Sequence, residues 1–176
     1  MIFNVLKALK FAARAHGDQK RKYTGEPYVV HLIEVAELVA EADTDGRVVI
    51  AALLHDVLED TAVTYEDLKA EFGVPIAWLV RQLTDVSKLE DGNRAERKKI
   101  DLAHLSQALA EAQTIKYADL ISNSRSITKH DPGFARVYMR EKAAILRVLT
   151  LGNAKLREQA LKLVLEYFEN EPETTN

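Results

Sequence analysis

The chain has 176 residues, enough for one domain with a substantial core, and its hydrophobic and charged fractions of 47% and 29% are ordinary for a soluble globular protein. A net charge of −3 argues against a broad nucleic-acid-binding face, and the absence of cysteine excludes disulfides, thiolate nucleophiles and zinc-finger sites. No apolar run approaches a membrane span, and the amphipathic stretch "MIFNVLKALKFAARAHG" lacks the apolar core and cleavage site of a signal peptide, so a cytoplasmic location is expected.

Helical periodicity dominates in chain order. Val5, Leu6, Leu9, Phe11, Ala12 and Ala13 predict a first helix ending near His16 and Gly17. "GDQKRKYTGEP" reads as a polar loop, followed by a helix from about Tyr28 to Ala42. "DTDG" is a turn with Asp45 as N-cap, and an apolar helix then runs to Asp60. "TYEDLKAEFG" is a short helix capped by Thr64 and closed by Gly73, and Pro75 opens the next. Trp78 sits there among Ile76, Leu79 and Val80 and reads as core. "SKLEDGN" is a polar connection, and a charged helix follows from Arg94 towards Ala112. Next come a helix holding "TIKYADLISNSRSI", a break at "KHDPG", and two helices at roughly 133–150 and 154–169. No alternating strand pattern occurs. The expectation is an all-α bundle forming one domain over residues 1–170, with 171–176 a frayed tail.

The stretch "VVIAALLHDVLEDT" poses a chemical problem. An all-apolar segment is normally buried, yet this one ends in His55, Asp56, Glu59 and Asp60. Read as one helix, it places three carboxylates at a C-terminus, where they repel one another and the helix dipole. An ordinary surface helix end would also carry such a His-Asp pair. The apolar run before it and the two further acids favour a compensating cation. Imidazole with carboxylates suits zinc, manganese or iron. His31 lies on the preceding helix among apolar neighbours, and Asp119 and Asn123 share one face of a later helix. His31, His55, Asp56 and Asp119 would make a set of two histidines and two aspartates, leaving positions for water and substrate.

These residues also resemble a known family. A histidine, then "HD", then a distant aspartate is the pattern of HD-domain metal-dependent phosphohydrolases. "KRKYTGEPYVVH", "AALLHDVLEDT" and "TIKYADLISNSRSI" together are similar to the hydrolase domain of the RelA/SpoT family, which degrades (p)ppGpp. The resemblance spans roughly residues 3–150 and implies an HD-domain bundle acting as a stand-alone small alarmone hydrolase. It implies His31, His55, Asp56 and Asp119 as ligands of one divalent ion, usually Mn²⁺, and places Glu59 and Asp60 beside the attacking water. It assigns nucleotide contacts to Asn123 and Lys22, with Lys20 and Arg21 close by. Tyr28, Lys116 and Arg125 are further candidate substrate contacts. Leu32 departs from the usual proline after the first histidine, and Leu120 from a common basic residue.

The expected reaction is hydrolysis of the 3′-pyrophosphate of the guanosine tetra- or pentaphosphate. A phosphatase acting on NADPH or a nucleoside monophosphate is the alternative with the same metal set, and a non-catalytic nucleotide sensor is the third reading. The expected partner is a small nucleotide, with neither nucleic acid nor membrane. His16, His104 and His130 read as expendable, with His104 exposed and His16 at the first helix's end.

Overall fold

The computed structural model describes residues 2–42 and 45–170. Its regular elements are helices, besides one antiparallel bridge between Lys20 and Pro27. In chain order they are α1 (Ile2–His16), α2 (Val29–Ala42), α3 (Gly46–Leu53), α4 (Val57–Asp60), α5 (Tyr65–Phe72), α6 (Val74–Leu83), α7 (Arg94–Leu105), α8 (Ala110–His130), α9 (Pro132–Val148) and α10 (Ala154–Glu169). A 3₁₀ turn (Leu89–Asp91) lies between α6 and α7. None of these helices is long and apolar enough to cross a membrane.

Local chemistry sets most boundaries. Asp45 accepts from the Arg47 amide at 2.9 Å and caps α3. Thr64 and Asp67 form a reciprocal capping box on α5. Gly73 holds φ at +83°, a region that side chains disfavour, which closes α5 and lets Pro75 sit in the first turn of α6. Asp131 and Asn153 cap α9 and α10.

α8 is the central helix. Every residue from Tyr117 to Ser122 is buried, and α2, α3, α6, α9 and α10 pack around it. A helix buried on all sides needs apolar residues on all sides, which Ile115, Ala118, Leu120 and Ile121 supply. Each such aliphatic side chain contributes about 1.5–3 kcal/mol when fully buried. The turn before α10 comes so close to α8 that a Cβ on Gly152 would lie 2.6 Å from the Tyr117 ring and 2.8 Å from the Thr114 amide nitrogen.

Four expectations need correction. The apolar helix does not run on to Asp60: α3 ends at Leu53 and α4 starts at Val57. The helix from Arg94 stops at Leu105, and side chains from α6 and α8 satisfy the backbone of the break. Gln82 accepts from the Leu109 amide at 2.6 Å, and Gln113 donates to the Ala108 carbonyl at 2.8 Å. Trp78 is 50% exposed, because α6 buries the stripe through Ile76, Leu79, Val80 and Leu83 and turns Trp78 away from it. His104 is half-buried rather than exposed, with Nε2 3.4 Å from the Arg81 carbonyl. The tail at 171–176 and half of the "DTDG" turn lie outside the described residues.

Candidate metal centre

The break between α3 and α4 builds the first half of the site. The chain tightens there into a 3₁₀-like turn, with Leu54 bonding back to Ala51 and Val57 to Leu54, both at 3.1 Å. Successive residues of a regular helix point about 100° apart. The tightened turn instead brings His55 Nε2 within 3.0 Å of Asp56 Oδ2. It also changes the electrostatics expected from sequence, because Glu59 and Asp60 close a single turn, Val57–Asp60, rather than a long helix, so the accumulated dipole of a long helix does not act on them. The Ala52 carbonyl accepts from His55 Nδ1 at 2.8 Å. A carbonyl only accepts, so Nδ1 carries a proton and Nε2 is the ring nitrogen left to bind an ion.

The second half comes from α2 and α8. His31 is 1% exposed, and its Nε2 lies 3.6 Å from Asp56 Oδ2 and 3.4 Å from Asp119 Oδ1. Asp119 Oδ1 is also 3.8 Å from His55 Nε2. The far oxygen of Asp119 pairs with Lys116 at 3.0 Å, and Asn123 donates to Oδ1 at 2.6 Å. Tyr28 donates its hydroxyl to Asp56 Oδ2 at 2.6 Å, and its ring stacks on His16 at 4.8 Å. His16 is thus a buried support for Tyr28 rather than an expendable residue.

The donor set fits a divalent cation. Both Nε2 atoms are buried and have no hydrogen-bond partner. An unsatisfied buried polar atom costs about 1–3 kcal/mol, so two orphans facing carboxylates call for a shared ligand. One donor atom from each of His31, His55 and Asp56 lies within 4.8 Å of the others. Burial alone would lower His55, yet with no ion bound Asp56 and Asp119 push it up to about 10, so the carboxylates draw a positive charge to Nε2, a proton in the ion's absence. Burial works against ionised Asp119, but Lys116 and the two imidazoles hold its carboxyl well below the usual carboxylate range.

This centre opens into a cleft of about 590 Å³. Tyr28, Asp56, Glu59, Asp60, Lys116, Asp119 and Asn123 line it, all singled out from sequence. Burial and the neighbouring Asp85 push Glu59 up to about 7, Asp56 adding to this and Lys116 opposing it. Gln19 donates to Asp60 at 3.1 Å. The cleft is also lined by Lys98, which pairs with Asp85 and Asp101, and by Lys99, Arg140 and Lys142, which sequence reasoning missed. On α7 and α9 these residues read as ordinary charged faces, and no local motif marks them. Lys142 makes no ion pair among the described residues and rests 4.6 Å from the Tyr138 ring centre.

The basic loop lies elsewhere. Lys20 is exposed and outside the cleft lining, and Lys22 reaches Asp131 at 3.5 Å. Arg21 and Arg125 line a second cavity of about 480 Å³ instead.

A helical bundle that gathers His31, His55 and Asp56 at one point, with Asp119 Oδ1 3.4 and 3.8 Å from the two imidazoles, beside an open cleft, has the architecture of an HD-type hydrolase. Residues 8–150 match the HD domain family, and the chain belongs to it. It is 33% identical over 170 residues to a guanosine-3′,5′-bis(diphosphate) 3′-pyrophosphohydrolase of Danio rerio, covering 92% of this chain and 93% of that one. It is 49% identical over 86 residues to the protein of that activity from Aquifex aeolicus, a match that takes up 49% of this chain but 12% of the longer protein. A solved structure described as a metazoan ortholog of SpoT that hydrolyses ppGpp superposes with a TM-score of 0.83 at 30% identity, covering 93% of this chain and 95% of that one.

Proposed function

We infer that this chain is a divalent-metal-dependent 3′-pyrophosphohydrolase of guanosine tetra- and pentaphosphate. The observation that carries this reading is the pair of buried, unpartnered Nε2 atoms facing Asp56 and Asp119, beside a cleft that these aspartates share with the basic residues Lys116, Arg140 and Lys142. The activities named for the relatives agree with it. His31, His55, Asp56 and Asp119 would hold the ion, and a mixed imidazole and carboxylate set of this kind suits Mn²⁺. Bound there, the ion lowers the pKa of water and polarises a phosphate oxygen.

The chain's own residues supply the rest. Glu59, whose proton is released near neutral pH, takes a proton from the attacking water, with Asp60 beside it orienting that water. Lys116 and Asn123 fix Asp119, and Tyr28 fixes Asp56. Lys142 and Arg140 line the same cleft, where their charge would offset a polyanionic substrate. Water adds across the bond between the pyrophosphate and the 3′-oxygen. Pyrophosphate leaves, the 3′-oxygen is protonated, and GDP or GTP remains.

Turnover of ppGpp against NADPH with added Mn²⁺, with pyrophosphate and orthophosphate detected separately, tests this assignment. GDP plus pyrophosphate from ppGpp is the expected result. Orthophosphate from NADPH with ppGpp left intact would overturn the substrate reading, and tight binding without turnover would overturn the catalytic one.

A further inference from the structure

Behind His31, on the side away from the cleft, a run of polar side chains has no role in the chemistry above. His31 Nδ1 lies 2.9 Å from Ser122 Oγ. Ser122 Oγ lies 2.6 Å from Glu34 Oε2. Arg21 Nη1 donates to the same Glu34 oxygen at 2.7 Å and lies 3.5 Å from Ser122 Oγ. These residues come from the loop before α2, from α2 itself and from α8. Ser122 is three residues beyond Asp119 and Glu34 three beyond His31, so each shares a helix face with a proposed ligand.

Counting protons fixes the direction of the run. An ionised carboxylate only accepts, so the single Ser122 hydroxyl proton goes to Glu34. Arg21 only donates. Ser122 Oγ can then only accept from His31, which places the imidazole proton on Nδ1. Nε2, facing Asp56 and Asp119, is then the ring nitrogen left to bind an ion. Burial would push Glu34 up, but its bonds from Ser122 and Arg21 keep it lowered and so ionised at neutral pH.

We propose that Arg21, Glu34 and Ser122 form an anchor that fixes the tautomer and orientation of His31, and so sets metal affinity, with Arg21 acting as a positioning residue rather than a substrate contact. The Arg21 side chain is 8% exposed, and its guanidinium is taken up by Glu34, which suits an anchor and not a hand that reaches into solvent. Partners that orient metal-ligating histidines typically carry 10–100-fold in metal affinity.

The inference rests on the metal site proposed above, and titration of metal-free protein with Mn²⁺, without nucleotide, separates the two. If the wild type binds no Mn²⁺, the metal site itself fails. Given a wild-type site, Ser122→Ala is expected to weaken Mn²⁺ binding by about 10–100-fold. Glu34→Gln should weaken it less, because an amide oxygen still accepts from Ser122. Combining the two should be no worse than Ser122→Ala alone, since the links act in series. Arg21→Gln should weaken Mn²⁺ binding while the nucleotide KM at saturating Mn²⁺ stays at the wild-type value. Wild-type Mn²⁺ affinity in Ser122→Ala would overturn the anchor, as would fully additive losses in the double variant. A raised KM with unchanged Mn²⁺ affinity in Arg21→Gln would return Arg21 to the substrate. Should the Arg21 variant fail to fold, the Ser122 and Glu34 variants still decide.

Discussion

His31 and His55 turn the same atom toward the same pair of aspartates, and they are held by opposite means. His55 is fixed within its own turn, by the Ala52 carbonyl three residues back. His31 is fixed by side chains from three separate parts of the chain. A backbone carbonyl cannot be removed by substitution, whereas a hydroxyl can. The difference teaches where the site is vulnerable. The His-Asp half stands or falls with the tightened turn, and the His31 half depends on how α2 and α8 pack.

The largest effect is expected from the residue both histidines face. Asp56→Ala should abolish metal binding and lower kcat/KM by about 10⁴-fold or more, as loss of a group that works as part of a unit does. Metal analysis and steady-state kinetics check this, and an active, metal-loaded variant would contradict the ligand assignment. Glu59→Gln separates the chemistry from the metal. It should lower kcat by about 10²–10⁴-fold and leave metal affinity unchanged. It should also remove a rise in rate through pH 7, since Glu59 accepts a proton only once it has lost its own as pH rises through about 7. A variant lacking metal would make Glu59 a ligand instead.

The basic residues of the cleft give a smaller effect. Lys142→Met should raise the nucleotide KM by about 10-fold, the scale of one charge-assisted contact. Burial, with Lys116 nearby and against the pull of Asp119, lowers Lys142 to about 8. A lysine is charged below its pKa, so wild-type KM should climb as pH rises through about 8, while the variant's profile stays flat. The mildest change sharpens the comparison itself. Tyr28→Phe removes the donor to Asp56, beside His55, and should weaken Mn²⁺ binding only several-fold, about 1 kcal/mol. A loss larger than that of Ser122→Ala would reverse the ranking of the two halves.

Much of the helix order was readable because its signals are local. Asp45, Thr64, Gly73, Pro75 and the "KHDPG" break each act within a turn of where they stand. The meeting of His31, His55 and Asp56, with Asp119 beside the two imidazoles, was legible for a different reason, since acids after an apolar run demand a partner. Other features carried no local signal. The end of α3 at Leu53 has no glycine or proline, and the gap before α8 is held by Gln113 from within α8 and by Gln82 from 27 residues away. Trp78 misled because apolar spacing does not say which stripe of a helix meets the core. Lys142 and Arg140 were invisible because only the packing of α9 brings them to the cleft. Within the run "KRK", Arg21 is turned inward onto Glu34, whereas the Lys22 side chain stays 74% exposed beside Tyr23 and Asp131.

The most direct test is anomalous diffraction from a crystal of the protein soaked with Mn²⁺. A single strong peak within bonding distance of His31 Nε2, His55 Nε2, Asp56 and Asp119 is the predicted result. An ion bound elsewhere, or a peak that leaves out His31 or His55, would contradict the shared site.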